Sequence, residues 1–302
     1  MVTAARPNEL RYLDPKVVAR ISSMELRART IVEGFLIGLH RSPYKGFSVE
    51  FSEYRQYMPG DDLSTIDWKV YGRSDRFYVK KYEEETNLDC RILLDVSGSM
   101  SYRSDGVTKR EYGAYLAASL AYLMHRQRDA VGLVTFDDAI IANVPVSARP
   151  GHLTRILVTL DQLRPGRRSN VATPLNRLAD ALSRRGMVVV ISDLLDDPDT
   201  VVRGLRHLRF RGTDVIVFHV LDPAELTFPF ERATRFRDLE TDAEVTGVSS
   251  LLREPYLKAM QDLMAIYQRE LGLANIDYCL VDTSKPLDVA LRSYLATRAK
   301  LH

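Results

Sequence analysis

The sequence predicts an α/β protein with a doubly wound, mostly parallel central sheet flanked by helices. Three observations support this prediction. From Asp89 onward, short apolar runs typical of strands alternate with longer segments of helical spacing. The runs are continuously apolar, as at residues 187–191, which is typical of strands covered on both faces. Two of them lead into an Asp, at Asp95 and Asp193, the position where doubly wound sheets bind ligands.

Composition places the chain among ordinary globular proteins. It has 302 residues, of which 45% are hydrophobic and 27% charged, and its formal net charge of +2 does not point to a polyanionic partner. Cys90 and Cys279 are too few for a disulfide framework or a Cys/His metal site. The sequence shows no signal peptide, and its apolar runs are too short to span a bilayer. A cytoplasmic protein is therefore expected.

The N-terminal residues predict a helical segment. Residues 14–40 carry apolar side chains at helical spacing, and Asp14 followed by Pro15 is a good helix start. Gly34 and Gly38 weaken the pattern, so a break near either would give two helices. We expect the apolar face to pack on the rest of the protein, and binding of a partner helix is the alternative.

Residues 46–85 differ from the rest in pattern. Alternation predicts strands at 47–51 and 77–82, separated by a region dense in Arg, Asp and aromatic residues. A buried polar network is the expected role of that region. The alternatives are a binding surface or a catalytic pair formed by Asp61 and Asp67. With the preceding helix, these residues form a predicted extension over 1–85, and residues 86–302 form the main domain.

Within the main domain, the elements alternate. Strands are predicted at 90–94, 130–136, 140–144, 187–192, 214–220 and 276–281. Helices are predicted at 111–127, 153–163, 174–184, 200–210, 254–271 and 287–297. The strand at 140–144 follows a short turn, so it should pair antiparallel with its predecessor. Residues 235–248 predict an inserted hairpin.

Hydroxyl and carboxylate side chains follow two predicted strands and begin a predicted helix. Such oxygens suit Mg²⁺, with Mn²⁺ or Ca²⁺ as alternatives. Because the carboxyl ends of parallel strands meet at one edge, we expect a cation site there. Its five candidate ligands are Asp95, Ser97, Ser99, Thr173 and Asp193. Thr173 is expected at the N-cap of its helix. The alternative for the Asp-x-Ser-x-Ser stretch is a turn that caps the next helix.

The five candidate ligands resemble the metal-ion-dependent adhesion site of von Willebrand factor A-type domains. Segments 53–62, 66–69 and 79–85 resemble the signature of the domain-of-unknown-function-58 family, and this resemblance extends from about residue 46 to the C-terminus. It implies that the three hydroxyls bind the cation directly and that the two carboxylates act mainly through water. Ala172 departs from the pattern, since many relatives have Gly before the Thr.

The resemblance also implies a role. Such proteins are commonly encoded beside MoxR-type AAA+ ATPases and are thought to act with them in assembling or activating client proteins. Longer relatives carry transmembrane segments, whereas this chain resembles the short soluble subclass. We therefore expect a non-enzymatic, metal-dependent interaction protein whose cation is completed by a carboxylate from a client protein.

Two other functions remain open from the sequence. A Mg²⁺-dependent phosphoester hydrolase would use Asp95 and Asp193. Nucleic-acid binding would use basic residues on one helix or on one loop. The helix carries Arg203, Arg206, Arg209 and Arg211, and the loop carries Arg164, Arg167 and Arg168. A solvated face or an acidic partner is the expected role of these arginines. The six His are scattered, and no P-loop is present, so ATP hydrolysis is not expected.

Overall fold

The computed structural model of the chain describes residues 14–40, 54–56, 78–80, 89–166, 171–181 and 186–299. They fall into two compact units, one within residues 1–40 and 88–302 and the other within residues 41–87. This division differs from the predicted boundary at residue 85, because residues 14–40 group with the main unit. No helix among the described residues is long and apolar enough to cross a membrane.

The chain alternates strands and helices after the N-terminal segment. The helices are α1 Pro15–Val18, α2 Met24–His40, α3 Lys109–Arg126, α4 His152–Asp161, α5 Ala172–Ala181, α6 Pro198–Phe210, α7 Pro223–Thr227, α8 Ser249–Leu273 and α9 Asp288–Ala299. The strands are β1 Tyr54–Gln56, β2 Tyr78–Lys80, β3 Asp89–Asp95, β4 Ala130–Phe136, β5 Ile140–Ser147, β6 Met187–Ser192, β7 Asp214–Leu221, β8 Ala233–Arg237, β9 Glu244–Val248 and β10 Asp277–Asp282.

A six-stranded sheet forms the centre of the main unit, in the order β10-β7-β6-β3-β4-β5. All neighbours are parallel except β4 and β5, which pair antiparallel as predicted. From β3 the chain builds first towards β4 and later towards β6. The strand order therefore reverses beside β3, so a ligand site is expected at the carboxyl ends of β3 and β6.

Helices cover both faces of the sheet. One apolar core joins it to α2, α3, α4 and α9, and a second core joins it to α5, α6 and α8. The β6 strand is buried along its whole length, which explains its continuous apolar run. The predicted doubly wound, mostly parallel fold class is confirmed. The predicted inserted hairpin is also present, as the antiparallel pair β8 and β9.

The N-terminal helical segment is part of the first core. Asp14 caps α1 by accepting a hydrogen bond from the Lys16 amide, as its sequence predicts. The predicted two helices are present, but the break falls between α1 and α2 rather than at Gly34 or Gly38. The inner face of α2, which includes Ile31 and Phe35, is buried against the core. The expected packing of this helix on the main domain is thus confirmed.

The smaller unit is described only at two strands. There β1 and β2 pair antiparallel, with Arg55 opposite Val79. The predicted strand at 47–51 and the suggested pair of Asp61 and Asp67 lie outside the described residues.

Several helix starts differ from the prediction. α8 begins at Ser249 rather than at 254 and continues through Pro255. The Ser249 hydroxyl anchors that start by donating to the Arg232 carbonyl. α5 begins at Ala172, so Thr173 lies in its first turn and is not the N-cap residue. The turn closes earlier than expected because the Leu175 amide already donates to the Val171 carbonyl.

Candidate functional site

The loop after β3 brings the first three candidate ligands together. The Ser97 amide donates to Asp95 Oδ1 at 2.9 Å, and the hydroxyl oxygens of Ser97 and Ser99 lie 3.1 Å apart. Backbone hydrogen bonds fix the loop from both sides, because the Val96 amide donates to Phe136 and its carbonyl accepts from Gly166. The two hydroxyls are therefore held on one rigid turn.

The turn interpretation of this stretch is correct in one respect only. The Asp95–Ser97 hydrogen bond is an Asx turn, but the short 3₁₀ helix at Ser99–Ser101 has no side-chain cap. The next α-helix, α3, begins later and has its own capping box. There the Thr108 hydroxyl accepts from the Glu111 amide and the Glu111 carboxylate accepts from the Thr108 amide. Helix capping therefore does not account for Ser97 and Ser99.

Ser192, the last residue of β6, connects that strand to Asp95. Its hydroxyl donates to Asp95 Oδ2 at 2.6 Å and accepts from the Leu194 amide at 3.0 Å. Burial and, next, the charge of Asp193 raise the pKa of Asp95 to about 7, although hydrogen bonds from Ser192 and Ser97 oppose this. The sequence analysis missed Ser192. A hydroxyl that ends an otherwise apolar strand was the available signal.

Asp193 begins a turn that is anchored on both sides. Leu194 has a φ of 50°, which is unusual for a residue with a bulky side chain. The Tyr267 hydroxyl donates to its carbonyl at 2.8 Å. His219 Nε2 lies 2.7 Å from the Asp193 carbonyl, which can only accept, so this nitrogen carries the proton. The other ring nitrogen accepts from the Tyr278 hydroxyl at 2.7 Å. Burial lowers the pKa of His219 to about 4, although Asp193 acts in the opposite direction.

A buried ion cluster surrounds the Asp193 side chain. Lys109 Nζ, at the start of α3, lies 2.8 Å from Asp193 Oδ2 and 2.6 Å from Glu225 Oε1. The Glu225 contact has hydrogen-bond geometry, and the Asp193 contact is an ion pair. Burial opposes the charge on Lys109, but the two carboxylates outweigh it and raise its pKa. Lys109 and Glu225 were also missed, because no local pattern connects them to Asp193.

Thr173 approaches the same edge from α5. The Val171 amide, just before that helix, donates to Asp196 Oδ2 at 3.1 Å. This bond attaches the start of α5 to the turn that follows Asp193. Thr173 itself is half-buried. The structure thus joins Asp95, Ser97 and Ser99 directly, and it attaches the segments that carry Asp193 and Thr173 to the same edge.

The donor set suits a hard cation. In an octahedral Mg²⁺ site, neighbouring ligand oxygens lie roughly 3 Å apart, which matches the separation of the two serine hydroxyls. The Asp193 Oδ2 atom is buried, and it contacts the Lys109 ammonium at 2.8 Å. Within the described part of the chain, no group of three or more His, Cys, Asp or Glu is placed to hold a metal. Any cation here would therefore depend on hydroxyl oxygens as well as carboxylates.

The basic residues suggested for nucleic-acid binding are mostly paired. Arg206 forms an ion pair with Glu270, and Arg209 forms one with Asp214, each at 2.7 Å. Arg203 donates to the Thr200 hydroxyl. These contacts favour a structural role for the three arginines of α6. In the loop, Arg167 and Arg168 lie outside the described residues.

Comparison with known proteins identifies relatives. Uncharacterized proteins of Mycobacterium bovis and Mycobacterium tuberculosis are 28% identical over 250 residues, covering 82% of this chain and 78% of theirs. Among solved structures, an aerotolerance-related membrane protein from Bacteroides fragilis is similar at 18% identity and a TM-score of 0.46. The similarity covers 69% of this chain and 98% of that one. BatB from Bacteroides thetaiotaomicron is similar at 14% identity and a TM-score of 0.46. This similarity covers 71% of this chain and 100% of that one.

A third similar structure is the VWA domain of SpRpn10, with 12% identity, a TM-score of 0.37 and coverage of 68% of this chain and 94% of that domain. The model of the family described as "Protein of unknown function DUF58" matches residues 53–265, which is most of the chain. The resemblance to the domain-of-unknown-function-58 family that was drawn from the sequence is thereby confirmed. The chain belongs to the DUF58 family.

Proposed function

We propose that the protein is a non-enzymatic, metal-dependent interaction module that acts with a MoxR-type AAA+ ATPase to assemble or activate client proteins. The observation that carries this proposal is the pair of serine hydroxyls, 3.1 Å apart and fixed beside a buried carboxylate. This arrangement suits the recognition of a cation that is shared with a partner.

In this proposal the residues divide into two groups. Ser97, Ser99 and Thr173 would hold Mg²⁺ directly, while Asp95 and Asp193 would act through water. Neutral hydroxyl ligands leave the cation poorly neutralised, so it would attract a carboxylate from the partner. The metal would supply this electrostatic attraction, and the protein would orient it at the sheet edge.

The geometry favours binding over hydrolysis. Both oxygens of Asp95 accept hydrogen bonds, from the Ser97 amide and from the Ser192 hydroxyl. The nearby His219 is engaged at both ring nitrogens. These groups hold the site in place, and they are poorly disposed to attack a phosphoester or to activate water for the alternative hydrolase.

Binding to a MoxR-type ATPase tests the proposal. The purified proteins would be compared in Mg²⁺ and in EDTA, using wild type and the double variant Ser97→Ala/Ser99→Ala. We expect binding by wild type in Mg²⁺ only and loss of binding by the double variant. Ser284→Ala is the matched control, because that exposed hydroxyl donates to Asp282 within its own turn. Equal binding under all conditions would refute the metal-dependent function.

A further inference from the structure

We infer that Lys109 is a built-in counter-ion that lowers the affinity of the site for a free cation, which makes binding depend on a partner's carboxylate. The inference rests on the proposed function and adds how the site is regulated. Lys109 belongs to neither the Asp-x-Ser-x-Ser loop nor the other candidate ligands. It reaches the site only because α3 begins beside the end of β6.

The position of Lys109 is the first argument. Its side chain is fully buried, and its ammonium contacts one carboxylate of the candidate site, Asp193, and one outside it, Glu225. The Tyr102 ring lies on another side, with its centroid 5.9 Å from Nζ. A cation removed from water in this way requires anionic partners, so it is bound firmly to both carboxylates.

The surroundings of Glu225 hold this arrangement in place. Glu225 is part of the capping box of α7, where its second oxygen accepts from the Asp222 amide at 2.8 Å. Asp222 in turn accepts hydrogen bonds from the amides of Ala224 and Ser104. These hydrogen bonds fix the position of the Glu225 carboxylate, which in turn holds the Lys109 ammonium beside Asp193.

The charge balance gives the consequence. Of the two carboxylates at the site, Asp193 is partly offset by the single charge of Lys109, which it shares with Glu225, and only Asp95 has no cationic partner among the described residues. Affinity for such cations depends on the number of charged ligands. A site with one uncompensated carboxylate holds Mg²⁺ weakly until a further carboxylate arrives. Lys109 thereby couples metal occupancy to partner binding.

Metal titration of two variants tests this inference. Lys109→Met leaves Asp193 uncompensated, so Mg²⁺ should bind more tightly by about tenfold, similar to the effect of one nearby charge on the proton affinity of a carboxylate. Glu225→Gln removes the second anionic partner of Lys109, so the ammonium offsets the charge of Asp193 more completely. Mg²⁺ should therefore bind more weakly to this variant. Binding is measured by calorimetry and by the Mg²⁺-dependent rise in melting temperature. Lys16→Met is the matched control, since Lys16 forms an exposed ion pair with Asp105.

The outcomes separate the inference from the proposed function. If wild type binds Mg²⁺ and Lys109→Met binds it equally or more weakly, the counter-ion role is refuted and the metal site stands. If no variant binds Mg²⁺ at up to about 10 mM, beyond the range of weak natural calcium sites, both ideas fail. Should Lys109→Met not fold, Glu225→Gln decides alone, and unchanged or tighter binding by it refutes the inference.

Discussion

Ser192 shows how a single hydroxyl can hold a carboxylate in place. It donates to Asp95 Oδ2 from the neighbouring strand and also supports the turn after Asp193. Replacing it by Ala would leave one buried carboxylate oxygen without its donor. We therefore expect Ser192→Ala to lower the free energy of unfolding by about 1–3 kcal/mol, measured by urea denaturation.

A matched buried serine serves as the control for that experiment. Ser119 is equally buried, but its hydroxyl donates to the Tyr115 carbonyl inside α3. That carbonyl keeps its helical partner, and Ala favours the helix, so Ser119→Ala should change stability by less than about 1 kcal/mol. Equal losses in both variants would show that the contact with Asp95 contributes nothing specific.

Because Asp95 titrates, the stabilisation of the fold by Mg²⁺ should depend on pH. Its pKa in the folded protein is raised to about 7 from an ordinary value of 3.8. Between these values the folded state keeps a proton that the unfolded state has lost. Without metal, this group's contribution to stability therefore declines as pH rises from about 4 through 7. A bound cation favours the ionised form, so protons compete with it.

We accordingly expect Mg²⁺ to raise the melting temperature more at pH 8 than at pH 5.5. Thermal unfolding with and without Mg²⁺ at both pH values measures this difference. In Asp95→Asn, which cannot titrate, the pH dependence of the Mg²⁺ effect should disappear. A Mg²⁺ effect in wild type that is the same at both pH values would contradict the assignment of Asp95 to the site.

Residues of the site could be predicted from the sequence when they lie close to one another along the chain. Asp95, Ser97 and Ser99 were found from sequence because they share one loop after an apolar strand. Lys109 and Glu225 could not be found in this way. A buried lysine is recognisable only by its partners, and these come from other elements of the fold.

At the scale of elements, α2 provides the clearest test of packing. Its inner face is buried against the main core, whereas Leu26 on its outer face is 49% exposed. Ile31→Ala should lower the free energy of unfolding by about 2–5 kcal/mol, because it removes a fully buried side chain. Leu26→Ala, the matched control, should change it by about 1 kcal/mol or less.

Urea denaturation of both variants measures these changes. Similarly small changes would mean that the inner face of α2 is not part of the core and is available to a partner helix. The sequence predicted that this helix packs on the main domain, because its apolar residues follow helical spacing. It misplaced the break between the helices because glycine is only a modest helix breaker, whereas the contacts of α1 and α2 with the core decide where the chain turns.

Helix boundaries were less predictable than helices themselves. The short α7 was missed, since its start depends on a capping box that also contains Glu225, the partner of Lys109. The helix was predicted to begin at 254, yet α8 begins earlier, because Ser249 is anchored to the segment before β8. In each case a tertiary contact decided the boundary.

At the scale of the whole molecule, the sheet topology creates the site. Because β3 and β6 are parallel neighbours, residues distant in sequence meet at their carboxyl ends. The alternation of strands and helices was sufficient to predict this fold class and this edge. It could not predict the charge balance there, which depends on side chains from α3 and α7.

Direct titration of Mg²⁺ tests the central claim, which is that this edge binds a hard cation through its serine hydroxyls. Calorimetry would compare wild type, Ser97→Ala/Ser99→Ala and the control Ser284→Ala. We expect weak but saturable binding by wild type and by the control within about 10 mM Mg²⁺, and binding weakened by about tenfold or more in the double variant, which loses two oxygen ligands. Wild type without binding, or a double variant that binds as tightly as wild type, would contradict the claim.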